Sequence, residues 1–190
     1  MRKEAVAAAG ALMAMCGAVF AGTNYVNNSM STYAGHDGST PELALEKIQD
    51  AIRQSSNGDT IIVAPGVYGD DQGLGRSYPG HYWGNARLLV SYKSLHIKSS
   101  HGAANTFIVG GHDPDTSSGL GDKAVRCLDF ENDGTHTNVV EGFTLCDGAT
   151  RDVNGHSGWG GCLHVSQNGG SPIENTTFLV DCGITNCIGA

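Results

Sequence analysis

The sequence is poor in the residue types that mark several common functional classes. Lysine and arginine number 11 of 190 residues against 19 aspartate and glutamate, a formal net charge of −8 at pH 7. The basic residues form no run, whereas phosphate binding needs clustered cations. Because the basic residues are not clustered, we expect no nucleic-acid partner.

Aromatic residues are few, at 7%, and only the run at 5–20 approaches the length of a membrane span.

Short metal-binding and catalytic motifs are also missing. The sequence contains no Cys-x-x-Cys and no His-Glu-x-x-His, and no two of its eight histidines stand at His-x-His or His-x-x-x-His spacing. Zinc binding by the usual spaced ligands is therefore not indicated. We expect the histidines, including His136, His156 and His164, to be isolated loop residues.

The first 21 residues carry the pattern of a Sec-type signal peptide. Basic Arg2 and Lys3 precede the apolar run at 5–20, and Val-Phe-Ala at 19–21 supplies a small-residue cleavage site. The run is short for a membrane-spanning helix, which needs about 20 residues. We expect cleavage after Ala21, a secreted or cell-surface location, and no transmembrane helix in the mature chain.

One helix is predicted over residues 41–55. Its start can be capped by Thr40 with Pro41 in the first helical position, or by Ser39 with Glu42 as a capping box. Apolar residues recur at helical spacing along one face. This face comprises Ala44, Leu45, Ile48, Ala51 and Ile52.

Beyond residue 60, short β-branched and apolar runs alternate with Gly, Asn, Asp and Ser, the residues that make turns. No crossover helices separate these runs, which excludes βαβ units and leaves a sandwich, a barrel or a β-solenoid. The expected strands lie at 60–63, 88–92, 95–98, 106–109, 125–130, 139–145, 162–165, 173–178 and 183–186.

Two internal repeats favour the solenoid. Residues 142–149 and 183–190 are identical at five of eight positions at an offset of 41, and Cys-Leu-Asp-Phe at 127–130 resembles Cys-Leu-His-Val at 162–165 at an offset of 35. Such periods are typical of proteins whose units bury their apolar faces against their neighbours. We predict an all-β chain with a right-handed parallel β-helix over 22–190, its coils starting near residue 60. The second copy ends on the last residue, so we expect further coils to be missing at the C-terminus.

The run Gly-Asp-Thr-Ile-Ile-Val-Ala-Pro-Gly-Val-Tyr at 58–68, directly after an amphipathic helix, resembles the N-terminal entry of secreted bacterial right-handed parallel β-helix proteins. These are the pectate-lyase-like and polymorphic-outer-membrane-protein-like groups. The resemblance covers 24–190 and implies that the helix at 41–55 caps the first coil. It implies no single activity, because this scaffold carries lyases, hydrolases, adhesins and inert passengers. Further segments similar to coils of these proteins are 94–99, 106–111, 141–145 and 158–163.

Five cysteines remain after the predicted cleavage, an odd number that leaves at least one without a partner in the chain. In the register of the two repeats, Cys127 stacks on Cys162 and Cys146 on Cys187. Stacked strands lie about 4.8 Å apart, within disulfide range. Each pair is therefore either a disulfide or part of a ladder of free thiols in the core. We favour free thiols, because the disulfide dihedral is unfavourable between flat stacked strands.

The best candidate for a cation site is the pair Asp113 and Asp115. Two carboxylates two residues apart can turn oxygens toward one calcium ion, and lyases of this fold use calcium. The same Asp-Pro-Asp sequence also makes an ordinary turn. Asp70 and Asp71 form a weaker candidate. We expect no other cofactor.

Two incomplete catalytic sets can be read from the sequence. Arg126 or Arg151 is available as the base of a polysaccharide lyase, and Asp129 with Glu131 as the carboxylate pair of a glycoside hydrolase. Because neither set is complete, the leading prediction is a structural or adhesive protein that contacts polysaccharide or a host or cell-surface glycan. The alternative is a polysaccharide-active enzyme. Aromatic residues available to stack on sugar rings are Tyr78, Tyr82 and Trp83.

Overall fold

The chain is a parallel β-solenoid of about three turns, which confirms the predicted all-β solenoid fold. The computed structural model describes residues 21–30, 35–77, 84–132, 135–152, 160–167 and 177–189. The strands are β1 Thr23–Val26, β2 Thr60–Val63, β3 Gly66–Tyr68, β4 Asn85–Ser91, β5 His96–Ser99, β6 Thr106–Val109, β7 Val125–Asn132, β8 Asn138–Glu141, β9 Thr144–Cys146, β10 Leu163–Gln167, β11 Thr177–Val180 and β12 Gly183–Thr185.

These strands form three parallel sheets. Sheet A has the order β1-β2-β5-β8-β11, sheet B the order β3-β6-β9-β12, and sheet C the order β4-β7-β10. Each full turn of the solenoid adds one strand to each sheet, and each strand pairs with its equivalents in the adjacent turns. Residues separated by one turn in the sequence therefore become neighbours in space.

The apolar side chains stack inside the solenoid in register. Ile61, Ile97 and Val140 occupy equivalent positions in sheet A and are almost completely buried. Leu88 and Leu128 do the same in sheet C. Each fully buried side chain of this size contributes about 1.5–3 kcal/mol of transfer free energy. The interior therefore fixes which residues of successive turns face each other.

The register confirms one of the two repeats and contradicts the other. Strands β7 and β10 pair Leu128 with Leu163, the predicted offset of 35. Strands β9 and β12, however, pair Cys146 with Thr185, an offset of 39 rather than 41.

The physical reason for the offset of 39 is the backbone conformation at two corners. Gly142 (φ 76°) and Asp181 (φ 50°) are left-handed at one corner, and Asp147 (φ 54°) and Asn186 (φ 50°) at the next. Both pairs are 39 residues apart. Asp and Asn are the non-glycine residues that tolerate this conformation best, so the corners set the register.

The predicted helix at 41–55 consists of two shorter pieces. A 3-10 helix spans Pro41–Leu43, with the Thr40 hydroxyl accepting a hydrogen bond at its start, and the helix α1 spans Ile48–Gln54. Between them, Leu45 is extended because its backbone hydrogen-bonds to β1. No helix in the described ranges is long and apolar enough to cross a membrane.

The first strand of each sheet is covered on its outer edge. The backbone of Leu45 bonds to β1 in sheet A, and the Asn28 amide donates to the Val67 carbonyl of β3 at 2.7 Å. In sheet C, the Gln49 amide of α1 accepts from the Leu89 N–H at 2.8 Å and donates to the Leu89 carbonyl at 3.0 Å. Asn28, Leu45 and Gln49, which all lie between β1 and β2 in the sequence, thus occupy edge groups that would otherwise pair with another strand.

The corners between the sheets differ in length. Sheet A passes to sheet B through the two-residue corners 64–65, 142–143 and 181–182 and through the six-residue corner 100–105. Sheet B passes to sheet C through long excursions at 69–84, 110–124 and 147–162. Of the connections between different sheets, the three longest therefore all lie between sheet B and sheet C.

Candidate functional site

A buried cluster of charged side chains lies on sheet C. Its members, which we call the sheet C cluster, are Arg76, Arg126, Asp129, Glu131 and His164. Parallel pairing places His164 of β10 beside Asp129 of β7. Arg76 comes from the first excursion, whose backbone pairs with Ala86 of β4. Two strands and one excursion thus bring the cluster together.

Asp129 is the centre of the cluster. Its side chain is 0% exposed, and its Oδ2 accepts a hydrogen bond from Arg76 Nη1 at 2.7 Å. Its Oδ1 lies 3.0 Å from His164 Nδ1, and Arg126 Nη1 lies 3.9 Å from Oδ2. A carboxylate in this position orients the imidazole and offsets the charge of the guanidinium groups.

Glu131 connects the cluster to solvent. It pairs with Arg76 Nη2 and accepts a hydrogen bond from the Ser91 hydroxyl at 2.7 Å. Its side chain is 20% exposed, whereas that of Arg76 is 1% exposed. Of the two carboxylates in the cluster, Glu131 is therefore the one within reach of a molecule in solution.

The Arg126 guanidinium is held within the protein. Burial lowers the pKa of Arg126, while the neighbouring Asp129 carboxylate raises this pKa and Arg76 lowers it. The Nη2 of Arg126 also donates to the Thr150 hydroxyl at 2.9 Å. In the tautomer that donates its Nδ1 proton to Asp129, His164 carries its lone pair on Nε2, the arrangement that a general base requires.

The structure brings together three residues that the sequence had proposed, Arg126, Asp129 and Glu131. The side chain of Arg151 pairs instead with Asp122. Two further proposed sets lie outside the described residues. These are the aromatic residues Tyr78, Tyr82 and Trp83, and the histidine His156.

The prediction that His164 is an isolated loop residue was wrong. It belongs to β10, is 6% exposed and pairs with Asp129. The repeat at an offset of 35 aligns His164 with Asp129 in the sequence. This alignment could have predicted that the two side chains are neighbours. His136 does lie outside the strands, beside the Thr135 hydroxyl. Arg76 was missed, because the path of an excursion has no periodic signal in the sequence.

Asp113 and Asp115 both have protein partners. Asp113 accepts hydrogen bonds from the backbone N–H groups of Lys123 at 2.9 Å and Asp115 at 2.8 Å, and these bonds lower the pKa of its carboxyl group. Asp115 pairs with Lys123 Nζ at 2.5 Å. The two carboxylates thereby close the second excursion. Calcium binding at this loop stays a prediction.

The cysteines are arranged differently from the predicted pairs. Cys127 stacks on Cys162 with the sulfurs 3.8 Å apart, in agreement with the repeat. Cys187, however, forms a disulfide with Cys162, at a Cα–Cα distance of 5.5 Å, and does not stack on Cys146. The offset of 39 accounts for this difference, because it places Cys187 level with Gly148. Cys146 and Cys182 are free.

No family model, curated protein or solved structure matches the chain. The structure itself defines the class, a parallel β-solenoid protein with a buried ionic cluster on one sheet.

Proposed function

We propose that this chain is an exported β-solenoid with a structural or adhesive role, secreted or held at the cell surface. The signal-peptide pattern at 1–21 and the resemblance of 58–68 to secreted bacterial β-helix proteins support export and this family. The solenoid supports a structural role, because each added turn extends the same three sheets without requiring a new core.

The observation that carries the proposal is the use of buried arginines to attach the first excursion to the solenoid. The Arg87 guanidinium donates to the carbonyls of Gly73 at 2.8 Å and Val109 at 2.9 Å, and pairs with Asp70 at 2.5 Å. Arg76 binds Asp129 from the same excursion. Both guanidinium groups are buried although Asp70 is exposed, and their bonds hold the excursion in a fixed position, as a structural or adhesive surface requires.

The outer face of sheet A offers groups suited to a glycan. Glu141 pairs with His96 Nε2 at 2.8 Å and Lys98 Nζ at 2.7 Å, and Phe178 is 49% exposed one turn further on. Hydrogen-bonding groups beside an exposed aromatic ring are what sugars bind. We therefore propose polysaccharide or a cell-surface glycan as the partner.

Retention on glycans tests this role. We expect the full chain to bind at least one member of a panel of immobilised polysaccharides and cell-surface glycans, and Phe178→Ala to weaken that binding about tenfold through the loss of ring stacking. Val67→Ala, on sheet B and 58% exposed, is the matched control and should bind like the unchanged chain. Absence of binding across the panel, or equal weakening by both variants, would contradict the adhesive role on this face.

Cleavage after Ala21 can be tested through the contact between Gly22 and Asp59. The Gly22 nitrogen donates to Asp59 Oδ1 at 2.6 Å, so cleavage after Ala21 would place a positively charged amino terminus on this carboxylate. Asp59→Asn should then destabilise the processed chain by about 1 kcal/mol more than a chain that keeps residues 1–21. Urea unfolding of the four proteins measures the difference, and mass spectrometry of exported protein locates the cleavage. Equal destabilisation in both backgrounds would speak against a terminus at Gly22.

A second candidate function is a polysaccharide lyase or hydrolase, favoured by the sheet C cluster. The positive charges of the buried Arg76 and Arg126 can attract an acidic polysaccharide toward Glu131, and an imidazole held by Asp129 can accept a proton. Glu131, with its partial exposure, is the group we assign to contact with substrate.

Assays of product formation decide between the two candidates. For the structural role we expect neither unsaturated uronate nor new reducing ends from a polysaccharide panel, with or without calcium. The enzymatic candidate instead requires turnover that falls at least 100-fold in Glu131→Gln when the variant is assayed well below its own unfolding midpoint. Glu42→Gln, in the exposed 3-10 helix, is the matched control.

A calcium requirement that Asp113→Asn abolishes would establish the predicted cation site.

A further inference from the structure

Three sulfur atoms meet at the corner between sheets B and C. Cys127 comes from β7, Cys162 lies immediately before β10, and Cys187 follows β12. The three Sγ atoms all lie within 4.8 Å of one another. We call this group the cysteine triad. Its members come from three separate places in the sequence, so no Cys-x-x-Cys motif indicates the triad.

The spacing of the triad suits a single bound cation. Two thiolates on one tetrahedral zinc ion, each with a Zn–S distance of about 2.3 Å, have their sulfurs about 3.8 Å apart. The sulfurs of Cys127 and Cys162 are 3.8 Å apart. Cys162 and Cys187 are joined when oxidised. A dithiol reductant that supplies two electrons and two protons converts their disulfide into two thiols, which then lie beside the free Cys127 thiol.

Two glycines leave the corner open for the sulfurs. A Cβ at Gly148 would collide with the Gly161 carbonyl and lie 3.0 Å from Cys127 Sγ, and a Cβ at Gly161 would collide with the Ile188 carbonyl. No side chain from either position therefore separates the three sulfurs.

The surroundings disfavour a free thiolate but not a bound one. Burial raises the pKa of Cys127 to about 12, while the Gly110 N–H and the charge of Arg87 act in the opposite direction. A coordinated cation deprotonates its cysteine ligands outright, and the same N–H and guanidinium groups would then stabilise the sulfur charge.

We propose that the reduced cysteine triad binds one zinc ion through the thiolates of Cys127, Cys162 and Cys187. Thiolate ligands select zinc over magnesium and calcium. The described part of the chain supplies three sulfurs, and a solvent molecule would complete the four-coordinate shell. The disulfide and the zinc ion are alternative states of the same corner.

Cobalt(II) provides the spectroscopic test. The full chain, carrying Cys16→Ser, is reduced without oxygen, freed of reductant and titrated. We expect one cobalt per chain, a sulfur-to-cobalt charge-transfer band, and displacement by one equivalent of zinc. Cys127→Ser and Cys187→Ser should each weaken binding about 100-fold or more. Cys146→Ser and Cys182→Ser, matched controls outside the triad, should leave it unchanged.

A second measurement needs no variant in the triad, so it does not depend on whether a variant folds. Zinc should protect Cys127, Cys162 and Cys187 from alkylation in the reduced chain while Cys182 keeps its reactivity, as peptide mapping by mass spectrometry will record. The proposal is overturned by the absence of a charge-transfer band in the reduced chain. It is also overturned by equal cobalt binding in the oxidised chain, or by a protection pattern that does not distinguish the triad from Cys182.

Discussion

Asp129→Asn is expected to destabilise the solenoid by about 3–5 kcal/mol, the cost typical of removing one partner from a buried ion pair. The Asp129 side chain is 0% exposed and meets Arg76 and His164 in direct contact. Asparagine has nearly the same volume but no charge, so it leaves the buried Arg76 and Arg126 without their shared counter-ion. The effect therefore comes from electrostatics rather than from a cavity.

Asp115→Asn is the matched control, since it makes the same change in an exposed pair. The side chains of Asp115 and Lys123 are 65% and 63% exposed, and such pairs contribute at most about 1 kcal/mol. Urea unfolding followed by circular dichroism measures both variants. If they lose the same stability, the sheet C cluster does not hold the first excursion in the way we infer.

Gln49→Ala is expected to cost about 2–4 kcal/mol and to cause self-association. Gln49 is 5% exposed, and its amide is the partner of both backbone groups of Leu89 at the edge of sheet C. Alanine leaves a donor and an acceptor without partners, at about 1–3 kcal/mol for each buried group. It also opens a strand edge that can pair with another chain.

The edge role of Gln49 can be separated from a general effect on α1. Arg53→Ala changes an exposed residue of the same helix and should cost less than about 0.5 kcal/mol. Gln49→Glu keeps an acceptor for the Leu89 N–H but places a second acceptor against the Leu89 carbonyl, so it should be as damaging as alanine. Light scattering measures the self-association of each variant, and urea unfolding measures its loss of stability. A monodisperse Gln49→Ala with the stability of Arg53→Ala would refute the edge role.

The fold could be predicted because its period is present in the sequence. Equivalent apolar residues of successive turns, such as Leu128 and Leu163, recur with turn residues between them, and stacking follows directly. The offset of 41 failed because sequence identity aligned Gly142 with Gly183. The backbone aligns Gly142 with Asp181, since a glycine and an aspartate can share one left-handed corner.

The candidate site was only partly predictable for a similar reason. Asp129 and Glu131 are two residues apart on one strand, so the sequence alone predicts that they lie on the same face of the sheet. The place of Arg76 depends on the course of an irregular excursion, which no period encodes. The contact of Cys187 with Cys162 depends on the register of the last turn, so the error of two residues in the offset also misassigned this pair.

The single corner at which the excursions 69–84, 110–124 and 147–162 leave the solenoid determines where this chain can change during evolution. A residue inserted within a strand would move every later apolar side chain to the wrong face. A residue inserted in an excursion lengthens a loop and leaves the next turn in place. New sequence can therefore accumulate along one flank, as a column of loops spaced by the turns of the solenoid. A scaffold of this kind can acquire a new binding specificity while its core stays the same.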